Sequence, residues 1–174
     1  MTRTSTHQLQ VRTSAGVQTF SDKPPHNEPL EGVHYFFCDR KEGFILLNVE
    51  DGMSFTGKLI NERTGAVTDA GRSVLFSEDR RAYLISEYSN GMDGNEWKVY
   101  SVKGDLSWYG YDSTRSDEQG QSGATLRDPV WMPNGELVAT AACFTDQARK
   151  WKVKLVRQDI VWDWAPRKKC PAAR

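Results

Sequence analysis

Two stretches of the sequence carry oxygen donors at the alternate spacing of a calcium loop. In SNGMDGNEWKVYS, Ser89 to Ser101, Asp93 and Asn95 fit the first two ligand places. Such a loop needs oxygens at positions 1, 3 and 5, a glycine at 6 and a bidentate glutamate at 12. Trp97 falls at the fifth place and Gly104 at the twelfth, so the pattern fails and the segment reads as a turn between strands. A second stretch, DSTRSDEQG, offers Asp112, Thr114, Ser116 and Glu118, but Asp117 stands where the glycine belongs. Its Ser, Gly and Gln content reads as a solvated loop.

Nucleophilic hydrolysis needs an activated side chain, a base and an orienting acid. GQSGA, Gly120 to Ala124, has the outline of a nucleophile elbow around Ser122. An elbow follows a buried strand and opens a helix, whereas the preceding TRSDEQ is polar. The histidines, His7, His26 and His34, all lie far upstream, and His34 in GVHYFFC reads as an ordinary strand residue. Neither an HExxH zinc pair nor a GxxxxGK[ST] phosphate loop occurs. Cys143, in TAACFTD, reads as an inert core thiol, and the odd set Cys38, Cys143 and Cys170 contains no CxxC. Paired carboxylates need no local motif, and Asp79, Asp93, Asp112 and Asp128 are the candidates for acid and base. No cofactor and no metal are expected, and a carboxylate-dependent hydrolase is the one enzymatic alternative.

The elements that must position these residues are strands. Apolar residues alternate over short runs, and Gly, Asn or Asp clusters interrupt them repeatedly, the pattern of an all-β domain. The chain also repeats itself. RSVLFSEDRRAYLISEYSNGMDGNEWKVYSVKGDLSW, Arg72 to Trp108, aligns with RDPVWMPNGELVATAACFTDQARKWKVKLVRQDIVW, Arg127 to Trp162. The alignment matches Phe76 with Trp131, Trp97 with Trp151 and Trp108 with Trp162, the last two at one 54-residue offset. A fainter copy begins at FFCDRKEGFILLNVEDGMSFTGKL, matching Phe37 with Phe76 and Phe44 with Tyr83. Each unit reads as three or four strands with a tight turn at SEDRR or MPNGE.

DPVWMPNGELVATAA is similar to the PxWSPDGxxLAFxS blade motif of TolB-type β-propellers, a resemblance covering Arg72 to Trp108 and Arg127 to Trp164. Pro133 and Asn134 stand at the family's Pro-Asp, and Glu78 and Asp79 depart from it. The resemblance implies a folding unit and no activity. The expected fold is therefore all-β: antiparallel sheets from two or three repeated propeller-blade-like units, arranged as an open or partial propeller or as a β-sandwich.

The 174 residues suit one core without a metal or disulfide staple. SDKPPHNEP, with three prolines, reads as a linker. The expected organisation is an N-terminal arm and Pro-rich linker over 1–29, a β domain over 30–166 and a basic solvated tail over 167–174. Lys plus Arg equals Asp plus Glu, 23 each, which removes the electrostatic ground for a nucleic-acid or membrane partner. No apolar run is long enough to cross a bilayer, so the chain as given reads as cytoplasmic. Removal of a signal peptide would make it periplasmic and would allow a Cys38–Cys143 disulfide.

Six Trp, six Tyr and seven Phe are a payload for packing sheets or building an interface. With Trp97 and Val99 inward, beside their matches Trp151 and Val153, a period of two sends Lys98, Tyr100, Lys152 and Lys154 outward. The same rule points Trp108 and Trp162 inward and Tyr109 and Tyr111 outward. An exposed tyrosine pair beside Asp112 suits a partner-binding surface, with Asp93 and Asn95 in the neighbouring loop. The expected function is a non-enzymatic protein-binding module, an immunity or inhibitor protein that neutralises a toxin or hydrolase. The alternative is an exported lysozyme inhibitor or carbohydrate-binding protein, and the composition leaves room for self-association.

Overall fold

The computed structural model describes the chain except for residues 28–30, 53, 89–94, 115–122, 159–160 and 172–174. It is all-β, and every sheet is an antiparallel meander of strands consecutive in sequence. The first sheet holds β1 (Thr2–Ser5), β2 (Gln8–Thr13) and β3 (Gly16–Ser21). The second holds β4 (Val33–Lys41), β5 (Phe44–Asp51), β6 (Ser54–Asn61) and β7 (Val67–Ala70). The third holds β8 (Ser73–Phe76), β9 (Ala82–Tyr88), β10 (Asn95–Ser101) and β11 (Leu106–Tyr111). The fourth holds β12 (Ser113–Thr114), β13 (Ala124–Trp131), β14 (Leu137–Cys143), β15 (Lys150–Gln158) and β16 (Val161–Ala165). Two compact units result, Met1–Val74 with Ile85–Met92, and Leu75–Leu84 with Asp93–Arg174.

In the first unit the residues expected to form an arm are a sheet with its own buried face. QLQVRT alternates, and burial of Leu9 and Val11 with Ile45, Leu47 and Ile60 holds β2 in place. The proline stretch does not release the chain, because Lys23 pairs with Val33 and Asp22 accepts the Tyr35 N–H at 2.9 Å. The β4–β5 hairpin turns on Glu42 and Gly43, at φ 64° and 81°, so Lys41 pairs directly with Phe44. Such two-residue turns need positive φ at both positions and match the strand twist. Phe37 therefore pairs with Leu47 in mid-strand, unlike Phe76 and Trp131, which end their strands. The meander of the fainter copy is present, in a register shifted from the sequence alignment.

In the second unit the two stronger repeats share a turn built the same way. The Ser77 N–H donates to Ala82 O and the Arg80 N–H to Ser77 O; likewise the Met132 N–H donates to Glu136 O and the Gly135 N–H to Met132 O. Asp79 Oδ1 accepts the Arg81 N–H and Asn134 Oδ1 the Glu136 N–H, each at 3.1 Å. Asp79 and Asn134 thus do one job, closing the turn through a side-chain oxygen.

The core of this unit sets tryptophans against small residues. Trp151 pairs with Ala141 and Val153 with Ala139, and Trp97, Trp151 and Trp164 are buried with them. Alanines on β14 leave the volume that the indoles fill, the large-against-small matching that close packing requires. Outward, Lys152 and Lys154 are exposed as the parity requires, whereas Tyr100 stacks on the buried Tyr83 with centroids 5.4 Å apart. Trp162 also departs from expectation. It lies 39% exposed, and Trp164 takes the buried place, edge-on to Trp97 and Trp108. β15 runs farther past Trp151 than β10 runs past Trp97, so Trp162 pairs with Arg157 one step from the Gln158–Val161 pair that ends the ladder, and Trp164 with buried Leu155.

The cysteines also pair otherwise than expected. Cys143 is joined to Cys170, 27 residues away with Cα atoms 5.5 Å apart, and Cys38 is an exposed thiol. The basic end is consequently held down: Cys170 is buried, and the Thr145 hydroxyl donates to Pro171 O at 2.9 Å.

Candidate functional site

The β10–β11 hairpin has two unlike faces. Inward, Val99 pairs with Trp108, whose ring lies so close over Gly110 that a Cβ there would meet its Cζ2 at 2.5 Å. Gly110 is thus the residue that lets the indole lie flat along the strand. Outward, Lys98 pairs with Tyr109 and Glu96 with Tyr111. Tyr109 is 56% exposed, its ring 6.4 Å from that of Tyr111 in an edge contact, and Lys98 and Glu96 form an ion pair at 3.3 Å beside them. Half-exposed aromatic rings of this kind offer much contact area at low entropic loss.

Asp112 and Asn95 close the open end of that hairpin. The Asp112 carboxylate accepts the Asn95 backbone N–H at 3.0 Å and its Nδ2 at 2.8 Å, and the Asp112 N–H donates back to Asn95 O at 2.9 Å. Asp112 O in turn accepts the Leu126 N–H at 2.7 Å, where the chain crosses to the fourth sheet. Asn95 begins β10 rather than lying in a loop, and its side-chain amide donates to the Asp112 carboxylate. Asp93, Ser122, Ser116 and Glu118 lie outside the described residues.

Asp79 and Glu136 belong to the two matching turns. Asp79 is held below its ordinary value by the Ser77 hydroxyl and the Arg81 N–H. Glu136 is held down by Lys154 and then Asn134. A general acid needs the opposite shift. Asp128, at φ 50°, sits at the β13 bulge.

No family model, curated protein or solved structure matches the chain.

Two groupings escaped sequence reasoning. The first gathers all three histidines. His7 and His26 stack with centroids 3.7 Å apart, His34 stands edge-on to His26 at 6.3 Å, and Asp22 Oδ2 lies 3.9 Å from His7 Nδ1 and 4.0 Å from His34 Nδ1. The Asp22 side chain is 3% exposed and pairs with Arg3 at 3.2 Å. Burial raises its pKa, but the Tyr35 N–H, the Arg3 hydrogen bond and charge and the nearby His34 outweigh that and hold it below the ordinary aspartate value. Among the described residues no three His, Cys, Asp or Glu side chains converge to hold a metal ion. The second grouping is a cleft of about 440 Å³ in the second unit, lined by Trp108, Trp131 and Trp162. All three were matched within the repeat, Trp131 with Phe76 and Trp108 with Trp162, and the strand parity of the latter pair pointed to the core.

Proposed function

We propose that the chain is a non-enzymatic binding module, and within that class an immunity or inhibitor protein that neutralises a protein toxin or hydrolase by direct contact. The observation that carries this reading is the tyrosine pair on the outer face of β10–β11, with Tyr109 more than half exposed beside an ion pair. A hairpin closed by Asp112 and Asn95 holds those rings in place before a partner arrives, which lowers the ordering loss on binding. The Cys143–Cys170 bond supports a second, compatible reading, an exported inhibitor of a lysozyme-like hydrolase, since such bonds persist in oxidising compartments.

The test is isolation of the native complex followed by titration of the purified pair. One stoichiometric protein partner is expected, bound at least about tenfold more weakly by a Tyr109→Ala/Tyr111→Ala variant, as for anchors at an interface centre. The midpoint of that variant should stay within about 2 °C of the parent. A large fall in the midpoint would make the tyrosines structural. No partner, together with turnover on a panel of glycosides, would replace the reading with a hydrolase.

A further inference from the structure

The second unit holds a cleft walled by three tryptophans with polar side chains at its rim. It lies where the inner faces of the third and fourth sheets run out beyond their shared core. Trp108 contributes from β11, Trp131 from the end of β13 and Trp162 from β16. Its volume of about 440 Å³ falls in the range of pockets for small ligands.

Two of the three tryptophans are held in place by the protein itself. Trp108 is wedged between Gly110 and the edge of Trp164, 5.7 Å away at 88°. Trp131 donates its Nε1–H to Leu75 O at 2.9 Å, so its polar atom is occupied and its ring carbons are what remain to offer. Trp162 keeps 39% of its surface in water although it stands on the sheet's inner face, paired with Arg157. A large apolar side chain left wet on an inner face, next to two fixed indoles, is an unfilled contact surface.

The rim narrows the ligand class. Asn134, Glu136 and Arg157 ring the indoles with hydrogen-bonding groups. The described lining carries one cation, Arg157, and one anion, Glu136, so no concentration of positive charge is there to attract a phosphate. A purely apolar ligand would strip water from these rim groups without replacing its hydrogen bonds. The fitting ligand has flat apolar faces and a neutral, hydroxylated edge. We infer that the Trp108–Trp131–Trp162 cleft is a binding site for a neutral saccharide, whose C–H faces stack on the indoles while its hydroxyls meet the rim.

This site is on the opposite face of β10–β11 from the tyrosine pair and stands independently of the proposed protein partner. The test titrates the full chain with soluble cello-, chito-, malto-, xylo- and manno-oligosaccharides and follows tryptophan fluorescence and heat. At least one series should give a saturable change with affinity of about millimolar or tighter. Trp162→Ala should weaken it at least about tenfold, and Trp162→Phe, which keeps a flat ring, should restore part of it. The Tyr109→Ala/Tyr111→Ala variant should bind the saccharide like the parent. No saturable response to any series up to about 10 mM would overturn the assignment, as would equal affinity in Trp162→Ala. A response to a proline-rich or aromatic peptide alone would overturn it in favour of a peptide groove.

Discussion

Replacing Cys170 with alanine isolates the contribution of the covalent closure. The bond joins residues 27 apart, and the chain-entropy relation for a loop of that length gives about 3.5 kcal/mol at room temperature. For a chain of this size each kcal/mol moves the thermal midpoint by roughly 2–4 °C, so Cys170→Ala should melt about 7–14 °C below the parent. Both sulfurs are buried in one cluster, and Cys170 is the better position to change because it lies beyond the last strand, whereas Cys143 is part of β14. Calorimetry should be run with and without reductant. The reductant should lower the parent to near the variant and leave the variant unmoved. Alkylation under denaturing conditions, read by mass, should count a single free thiol in the untreated parent, Cys38. Three free thiols in untreated protein from an oxidising preparation, or a midpoint indifferent to both reductant and substitution, would refute the reasoning.

Two further perturbations follow from the hydrogen-bonded groups. Asp112→Ala removes both carboxylate bonds to Asn95 in a half-buried place; a bond to a charged acceptor contributes about 1.5–3 kcal/mol, and the net loss should be about 2 kcal/mol by urea unfolding. An unchanged urea midpoint would show that the clamp does not hold the hairpin. Asp22 has a folded pKa below its unfolded value, so its stabilisation is present above the unfolded value near 3.8 and is lost as pH falls through the folded one. The stability gap between the parent and Asp22→Asn should therefore close as unfolding is repeated from pH 5 downward to about 2. A gap that stays constant over that range would contradict the pairing with Arg3 and Tyr35.

The sequence disclosed whatever depends on local pattern. Alternation and turn chemistry announced strands, and the shared WKV placed Trp97 and Trp151 on one buried face. The MPNGE turn was legible because Asn134 and Gly135 meet local demands, a side-chain acceptor and a positive φ. What depends on distant partners was hidden. The N-terminal strands looked like a loose arm because Leu9 and Val11 are few, and only Ile45, Leu47 and Ile60 make them a core. Cys143 and Cys170 carry no spacing signal, and their pairing depends on where the residues after β16 return. Trp162 and Trp164 differ by two residues and share a parity, so only the length of the β15–β16 hairpin decides which is covered. The gathering of His7, His26 and His34 about Asp22 is long-range for the same reason.

The ordering of the strands carries a consequence for how the chain comes to be folded. Since each sheet is made of neighbours in sequence, every pairing closes a short stretch of backbone and can form as soon as its own residues are available. A nascent chain leaving the ribosome could thus lay down one meander after another without waiting for a distant strand. The exception is the last sheet. Its β14 carries a thiol whose mate lies beyond β16, so that meander must already be in place for the two sulfurs to meet. Oxidation would then act as a latch set after the strands have found their register, retaining a fold that local pairing has already selected.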